Sequence, residues 1–273
     1  MTDPRRTALD LIDGWGASHA AAAIVGPTGI ELAHGDAGRV FRWASVTKLI
    51  TGMAVLTAVE QGVVSLDEPC GPPGATVRHL LAHASGLPFE GDQVLAAPGA
   101  RRIYSNPGFD RLGALLAERD GGSTEASLVE RVLAPLGMTT TRLLERPSQG
   151  LHGSLADLAA FVVACLRPAV VRPTTLDGAM TVAFPGLVGV LPGVGRFDPM
   201  DWGLAFEIRA DKTPHWTGRR NSPGTVGHFG GSGTFVWIDP ALDRALVCLT
   251  DRDFGPWALE AWPPFSDAVI DAL

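Results

Sequence analysis

Strand-like alternation at both ends of the chain brackets a long middle stretch without it, and this pattern constrains the fold more than any other feature. Residues 20–25 and 30–34, joined by Gly26-Pro27-Thr28-Gly29, read as the strands of a hairpin, and residues 39–43 as a third strand. After Asp201 the signal returns at residues 202–208, 225–229, 234–238 and 245–250. From Leu66 to about Met200 the chain instead reads as helices separated by Gly and Pro turns, at residues 77–82, 107–119, 123–134 and 154–166. The last of these opens with Ser154 three residues before Asp157, a capping-box spacing with Asp in place of Glu. Helical periodicity also marks residues 5–15, where Leu9, Leu11 and Ile12 share a face, and residues 256–272. The simplest topology is α+β: an antiparallel sheet built from both chain ends, flanked by N- and C-terminal helices, with a mostly helical inserted lobe. The expected division is one domain over 1–273, with an α/β lobe from 1–65 and 201–273 and a helical lobe over 66–200.

Composition narrows the function classes. A chain of 273 residues with 46% hydrophobic and 19% charged residues can bury a large core, and it has neither low-complexity runs nor a fixed repeat. The net charge of -7, with no Lys/Arg cluster longer than two residues, argues against a nucleic-acid partner. Residues 1–13 are charged and lack the apolar core of a secretory signal, and the apolar run 20–25 is too short to span a bilayer. The expectation is a cytoplasmic protein without a membrane partner. Cys70, Cys165 and Cys248 are widely spaced and read as buried small hydrophobes in a reducing compartment.

Basic charge rests almost wholly on arginine; lysine occurs only at Lys48 and Lys212. Arginine keeps its proton in a protein, whereas a desolvated lysine can become a neutral base. Residues 45–60 have the apolar spacing of a buried helix ending at Gly62, with Ser45 on its first turn and Lys48 three residues on. A three-residue helical step rises about 4.5 Å and returns to nearly the same face, which suits a nucleophile and its amine base. The helix start adds N–H groups and a positive dipole end that favour an oxyanion there. The bland alternative is a serine cap and a surface lysine, but Trp43, Ala44, Val46, Leu49 and Ile50 place Lys48 in an apolar wall.

The only tyrosine, Tyr104, lies with Asn106 between a Pro98-Gly99 turn and Pro107-Gly108. Two readings stand: a phenol relaying a proton with an amide that orients base or substrate, or a Tyr packed on a helix start with Asn106 as its cap. Gly227-His228-Phe229-Gly230-Gly231-Ser232-Gly233 ends an expected strand. Its glycines would let a substrate approach the strand edge, and the Gly231 and Ser45 N–H groups would form a two-donor oxyanion hole. A hairpin turn is the bland reading; a phosphate loop is a poor one, because the Gly-Lys-Ser/Thr ending and the following helix are absent.

Together these elements resemble the serine β-lactamase and penicillin-binding-protein superfamily, and most of all its class C branch, which includes esterases and D-stereospecific peptidases. The similarity also takes in residues 41–67, 76–88 (Thr-Val-Arg-His-Leu-Leu-Ala-His-Ala-Ser-Gly-Leu-Pro), 98–106 and 135–138, in the family's order. The resemblance implies a β-lactamase/transpeptidase-like fold, Ser45 as the acylated nucleophile, and Lys48 and Tyr104 as the proton-transfer pair. It further implies Asn106 as a contact of substrate and of Lys48, and His228 with Gly230 as the third motif. Two departures stand out. The β-lactamases proper usually carry lysine where this chain has His228, and an ordinary histidine at pH 7 gives a ligand carboxylate no permanent cation. The chain is also short for the family and shows no export signal. Arg219 and Arg220 are candidates for a replacement cation.

His79 and His83, four apart on a helix, lack the third ligand and the glutamate of a metal-binding helix motif. Residues 183–197 are either an ordinary crossover or a mobile wall of the acyl pocket, and Asp251-Arg252-Asp253 reads as a solvated strand end. The expected activity is that of a serine hydrolase working through an acyl-enzyme on a small or medium ester, amide or lactam, without metal or organic cofactor. The alternatives are a β-lactamase or D-amino-acid peptidase using the same residues, and a catalytically silent ligand- or partner-binding module.

Overall fold

The structure is a computed structural model that describes residues 3–273; Met1 and Thr2, at the head of the charged start, lie outside the described residues. In chain order it runs α1 (Pro4–Leu9), a 3-10 turn (Asp10–Trp15), β1 (Ala20–Gly26), β2 (Gly29–Gly35) and β3 (Val40–Arg42). A second 3-10 turn (Ala44–Val46) leads into α2 (Thr47–Glu60), followed by α3 (Val77–Leu81), β4 (Arg102–Ile103), α4 (Asn106–Asp120) and α5 (Thr124–Leu128). Then come β5 (Arg142–Leu143), β6 (Leu151–Ser154), α6 (Leu155–Leu166), α7 (Pro173–Ala179), β7 (Gly189–Leu191) and β8 (Gly195–Phe197). The chain closes with β9 (Glu207–Ile208), β10 (Val226–Gly230), β11 (Thr234–Asp239), β12 (Arg244–Thr250) and α8 (Pro256–Asp271).

Six strands form one antiparallel sheet in the order β2-β1-β12-β11-β10-β9, so the N-terminal hairpin docks on the C-terminal meander, with Ala23 opposite Val247. Alternate residues feed two cores. Ala21, Ala23 and Val25 of β1 and Val247 and Leu249 of β12 pack with α2 and α6, while Ala22, Ile24, Leu246 and Cys248 pack with residues of α1 and α8. A sheet covered on both faces needs strands apolar throughout, which is why β1 reads as an unbroken run. Helix α2 is buried from Thr47 to Ala58, so it too is apolar or small on every side. Cys165 and Cys248 are buried, whereas Cys70 is only partly so. Among the described residues no helix is long and apolar enough to cross a membrane.

The mixed α+β fold is as expected; several elements are not. β3 leaves the hairpin and pairs with β6, Phe41 opposite Gly153, in a separate three-stranded sheet. The cause is Trp43, whose indole N–H donates to the Gly153 carbonyl at 3.0 Å and whose ring fills the space a Cβ at 153 would need. Residues 202–208 yield only β9, because the N–H groups of Leu204 and Ala205 turn away to the carbonyls of Ala179 and Leu81. The expected helix over 123–134 breaks at Leu128 into a π-helical turn, Val129–Leu133. Strands β4, β5, β6, β7 and β8, within the stretch read as helical, are two to four residues long, too short to show a period.

Candidate active site

Ser45 stands on the 3-10 turn between the small sheet and α2. Side chains from the edge of the large sheet hold this turn: Ser232 Oγ donates to the Arg42 carbonyl at 2.7 Å and Thr234 Oγ1 to the Trp43 carbonyl at 3.0 Å. Ala44 adopts a left-handed φ of 45°, an unfavourable conformation for a residue with a Cβ, and so lifts Ser45 out of the line of α2. Gly230 has to be glycine here, because a Cβ would come within 2.4 Å of the Trp43 carbonyl oxygen. Its bareness therefore serves the serine turn rather than substrate approach, which is left to Gly231, where an added Cβ would meet nothing within 4 Å.

Lys48 lies fully buried beneath Ser45, with Nζ 2.6 Å from Asn106 Oδ1, 2.8 Å from the Ser148 carbonyl and 3.3 Å from Ser45 Oγ. The amine also sits over the Tyr104 ring, 4.7 Å from its centroid. Burial pulls its pKa down to about 7, against the opposing pull of Asp110 and Glu90. A neutral amine has two hydrogens and one lone pair. With the hydrogens committed to Asn106 and Ser148, the lone pair is left for the Ser45 hydroxyl.

Tyr104 follows β4, and Asn106 opens α4. Ser105 caps that helix, accepting the Gly108 N–H at 3.2 Å, so Asn106 is free of capping and hydrogen-bonds Lys48 instead. The Asn106 amide donates to Glu90 Oε1 at 2.7 Å, and Arg146 holds Glu90 at 2.9 Å. Burial raises the Tyr104 hydroxyl well above its ordinary value, although hydrogen bonding with Ser45 lowers it in part, so the phenol stays protonated. His228 donates Nδ1–H to its neighbouring Phe229 carbonyl at 2.7 Å and turns Nε2 to the Tyr104 hydroxyl at 3.4 Å. Burial, with Lys48 adding to it, pushes His228 down to about 3, so the imidazole is neutral.

Ser45, Tyr104, Asn106, His228 and Gly231 all line one cavity of about 490 Å³. Lys48 lies below its floor, and Gly230 packs behind it. Sequence reasoning did not find Phe89, Trp202, Phe254 and Glu207 in its wall, nor the Ser148 carbonyl and Glu90 around Lys48. Glu207 follows a non-periodic stretch, and its carboxylate holds Lys212 at 2.5 Å and His215 at 3.1 Å. Burial opposes its ionisation, but Lys212 and His215 outweigh burial and hold its pKa at about 2.

Other expectations resolve differently. Arg219 and Arg220 do not reach the site: Arg220 pairs with Asp271 at 3.3 Å, and Arg219 lines a separate cavity. Among the described residues, the basic side chains beside Ser45 are the Lys48 amine and, on the cavity rim, Arg42. Asp253, read as part of a solvated strand end, lines the cavity, and Leu191, Pro192 and Gly193 of the 183–197 segment form one wall. His79 accepts the Thr76 N–H at 3.3 Å and stacks on Phe184, whereas His83 accepts the Ser105 N–H at 3.0 Å and packs at a tilt against Tyr104. They serve two different supports rather than one clamp.

Similar folds and sequences are found in other proteins. A crystal structure of a β-lactamase from Mycobacterium bovis is 54% identical, with a TM-score of 0.95 over 97% of this chain and 98% of that one. The D-alanyl-D-alanine-carboxypeptidase/endopeptidase AmpH of Escherichia coli K12 is 31% identical over 40% of this chain and 38% of its own length. Esterase EstB of Burkholderia gladioli is 36% identical over 30% of this chain and 24% of its own. The chain thus matches well under half the length of these two curated relatives. Residues 20–266, nearly the whole chain, match the Beta-lactamase family. The protein is a member of the β-lactamase family.

Proposed function

We propose that the protein is a serine hydrolase that cleaves small or medium esters through an acyl-enzyme on Ser45. The observation that carries this is the setting of Lys48: a buried amine with pKa about 7, two neutral acceptors at 2.6 and 2.8 Å, and the Ser45 hydroxyl as its third neighbour. Neutral Lys48 takes the hydroxyl proton as Ser45 Oγ bonds to the ester carbon, and the oxyanion rests on the Ser45 and Gly231 N–H groups. The Tyr104 phenol protonates the leaving oxygen as the acyl–oxygen bond breaks, and the Lys48 ammonium restores the phenol proton through the same hydrogen-bonded cluster. Water then adds to the acyl carbon as it gives a proton to Lys48, and as the Ser45 Oγ–acyl bond breaks the Lys48 ammonium returns that proton to Oγ, releasing the acid and restoring the free serine and neutral amine. The raised Tyr104 pKa favours Lys48 as base and Tyr104 as acid. Metal and organic cofactors have no part in this scheme.

Neutral His228 and the buried Glu207 carboxylate disfavour a substrate carboxylate beside them, which argues for esters. Likeness to the Mycobacterium bovis β-lactamase and to AmpH favours a second reading, a β-lactam or D-amino-acid peptide on the same residues. The test is p-nitrophenol release from p-nitrophenyl butyrate by native protein and by Ser45→Ala, with a chromogenic cephalosporin alongside. Ester turnover lost in the variant and little cephalosporin turnover is the expected result. Equal ester release from both proteins overturns the serine mechanism and returns weight to a silent binding module. Faster cephalosporin turnover establishes the second reading.

A further inference from the structure

A second cavity, of about 500 Å³, adjoins the first and shares Phe89, Tyr104 and Pro192 with it, but not Ser45. Its floor is the outer face of the small sheet β4-β7-β8. The register sets Ile103 beside Val190 and Val190 opposite Arg196, so these three side chains project from one face. Arg101 lies two residues before Ile103 and lines the same cavity. The result is an apolar platform of Ile103, Val190 and Phe89 with a guanidinium at either end. Val190 is 56% and Phe89 50% exposed, which is high for large apolar side chains and leaves the platform uncovered.

The two arginines are also uncommitted. Among the described residues neither Arg101 nor Arg196 is engaged by a carboxylate, whereas exposed Arg78, Arg111 and Arg119 all are. Arg102 between them makes the contrast plain. Its side chain points to the other face and is buried, donating to the carbonyls of Met200 and Ala183, each at 2.7 Å, and of Phe184 at 3.1 Å. That anchoring holds the short sheet rigid and leaves its outer face preformed.

Building on the ester-hydrolase reading above, we infer that this platform is a leaving-group subsite for the apolar body and distal anion, carboxylate or phosphate, of the alcohol released from the acyl-enzyme. The direction follows from Tyr104. The cavity meets the catalytic one at Phe89, Pro192 and the Tyr104 phenol that protonates the leaving oxygen, and Ser45 does not line it. Charge complementarity selects the anion, and the rings and aliphatic side chains between select an apolar spacer. The cation absent at His228 is thereby supplied by another part of the fold, farther from the reacting carbonyl.

The test compares kcat/KM for three butyrate esters: that of 4-hydroxyphenylacetate, that of its neutral methyl ester, and 4-butyryloxyphenyl phosphate. Native protein should favour an anionic ester over the neutral one by about five- to tenfold at low salt, as expected of exposed and partly screened charge pairs. Arg101→Gln/Arg196→Gln should erase that advantage while p-nitrophenyl butyrate turnover stays unchanged. The larger of the carboxylate and phosphate advantages identifies the natural anion. Equal values for all three esters, or an advantage that survives in the double variant, overturns the subsite. The parent reading fails separately, if p-nitrophenyl butyrate turnover survives Ser45→Ala. Calorimetric titration of free 4-hydroxyphenylacetate and phenyl phosphate then decides the subsite without turnover: weaker binding to the double variant supports it, and equal binding to both proteins overturns it.

Discussion

The two lysines of this chain are both buried, and their surroundings are opposite. Lys212 is held on the Glu207 carboxylate at 2.5 Å and on the Asp201 carbonyl at 2.9 Å, a charged group beside its counter-ion. Lys48 has the amide of Asn106, a backbone carbonyl and the Ser45 hydroxyl, all neutral, within hydrogen-bonding distance. The Glu90 carboxylate is kept one residue away because Asn106 stands between, accepting from Lys48 and donating to Glu90 at 2.7 Å. On the proposed reading, burial alone does not make a base. Burial without a contacting anion does, and here one amide separates the two cases.

The sharpest way to break the contrast is Lys48→Arg, which fits a permanent cation into the same wall. Esterase kcat should fall about 10²- to 10⁴-fold at every pH from 6 to 10, the range expected for loss of a general base. Steady-state p-nitrophenyl butyrate kinetics check this, and a variant within tenfold of native would show that Lys48 is not the base.

At the other lysine the loss should appear in stability. Glu207→Gln leaves Lys212 buried without its carboxylate and should cost about 3–5 kcal/mol in urea unfolding at pH 7. A loss below about 1 kcal/mol would mean that the Glu207 carboxylate is not what compensates the buried Lys212, and the two sites would no longer differ in kind.

The two sites also predict a pH signature. The Lys48 pKa is about 7 when folded, below its unfolded value of 10.5, so between those limits the unfolded chain binds more protons. The penalty on folding is then full below pH 7 and fades as pH rises towards 10.5. Native stability from Lys48 should rise by up to about 1.4 kcal/mol per pH unit in that window, against a flatter profile in Lys48→Met. Chemical denaturation from pH 7 to 9.5 measures it; parallel profiles would refute a depressed lysine.

Asn106→Asp is the smallest change, one that gives Lys48 the kind of neighbour Lys212 has. A carboxylate in contact should raise the lysine pKa, move the acid limb of kcat/KM upward by at least about one unit, and cut activity at pH 7 about tenfold, with recovery at high pH. An unmoved limb would remove Asn106 from the account of why the two amines differ.

How far the site could be read in advance depended on the kind of residue. Ser45 and Lys48 are legible because a three-residue step in a helix carries its own geometry, and Tyr104 because it is the chain's sole tyrosine. Gly230 stood out as a glycine, but the reason assigned to it was substrate approach, and the structure gives the Trp43 carbonyl instead. Arg219 and Arg220 are the candidates the sequence offers for the missing cation, but sequence alone does not place them in space. The chain directs them to another face, while Arg101 and Arg196, almost a hundred residues apart, come together across β4, β7 and β8. β3 was misassigned for a similar reason: alternation identifies a strand but names no partner, and an indole on Gly153 decided the pairing.

Taken by itself, the sequence determined which segments are strands and helices where their periods were long enough to show, and it put a serine and a lysine on one helical face. Both are local properties, set by bonds and dihedrals within a few residues. Tertiary structure alone decided which lysine has a carboxylate against it, where the histidine's lone pair points, and which arginines remain unpaired. Those outcomes depend on contacts such as Lys48 with Asn106 and with Ser148, 58 and 100 residues apart, and electrostatic energy depends on that separation in space rather than along the chain.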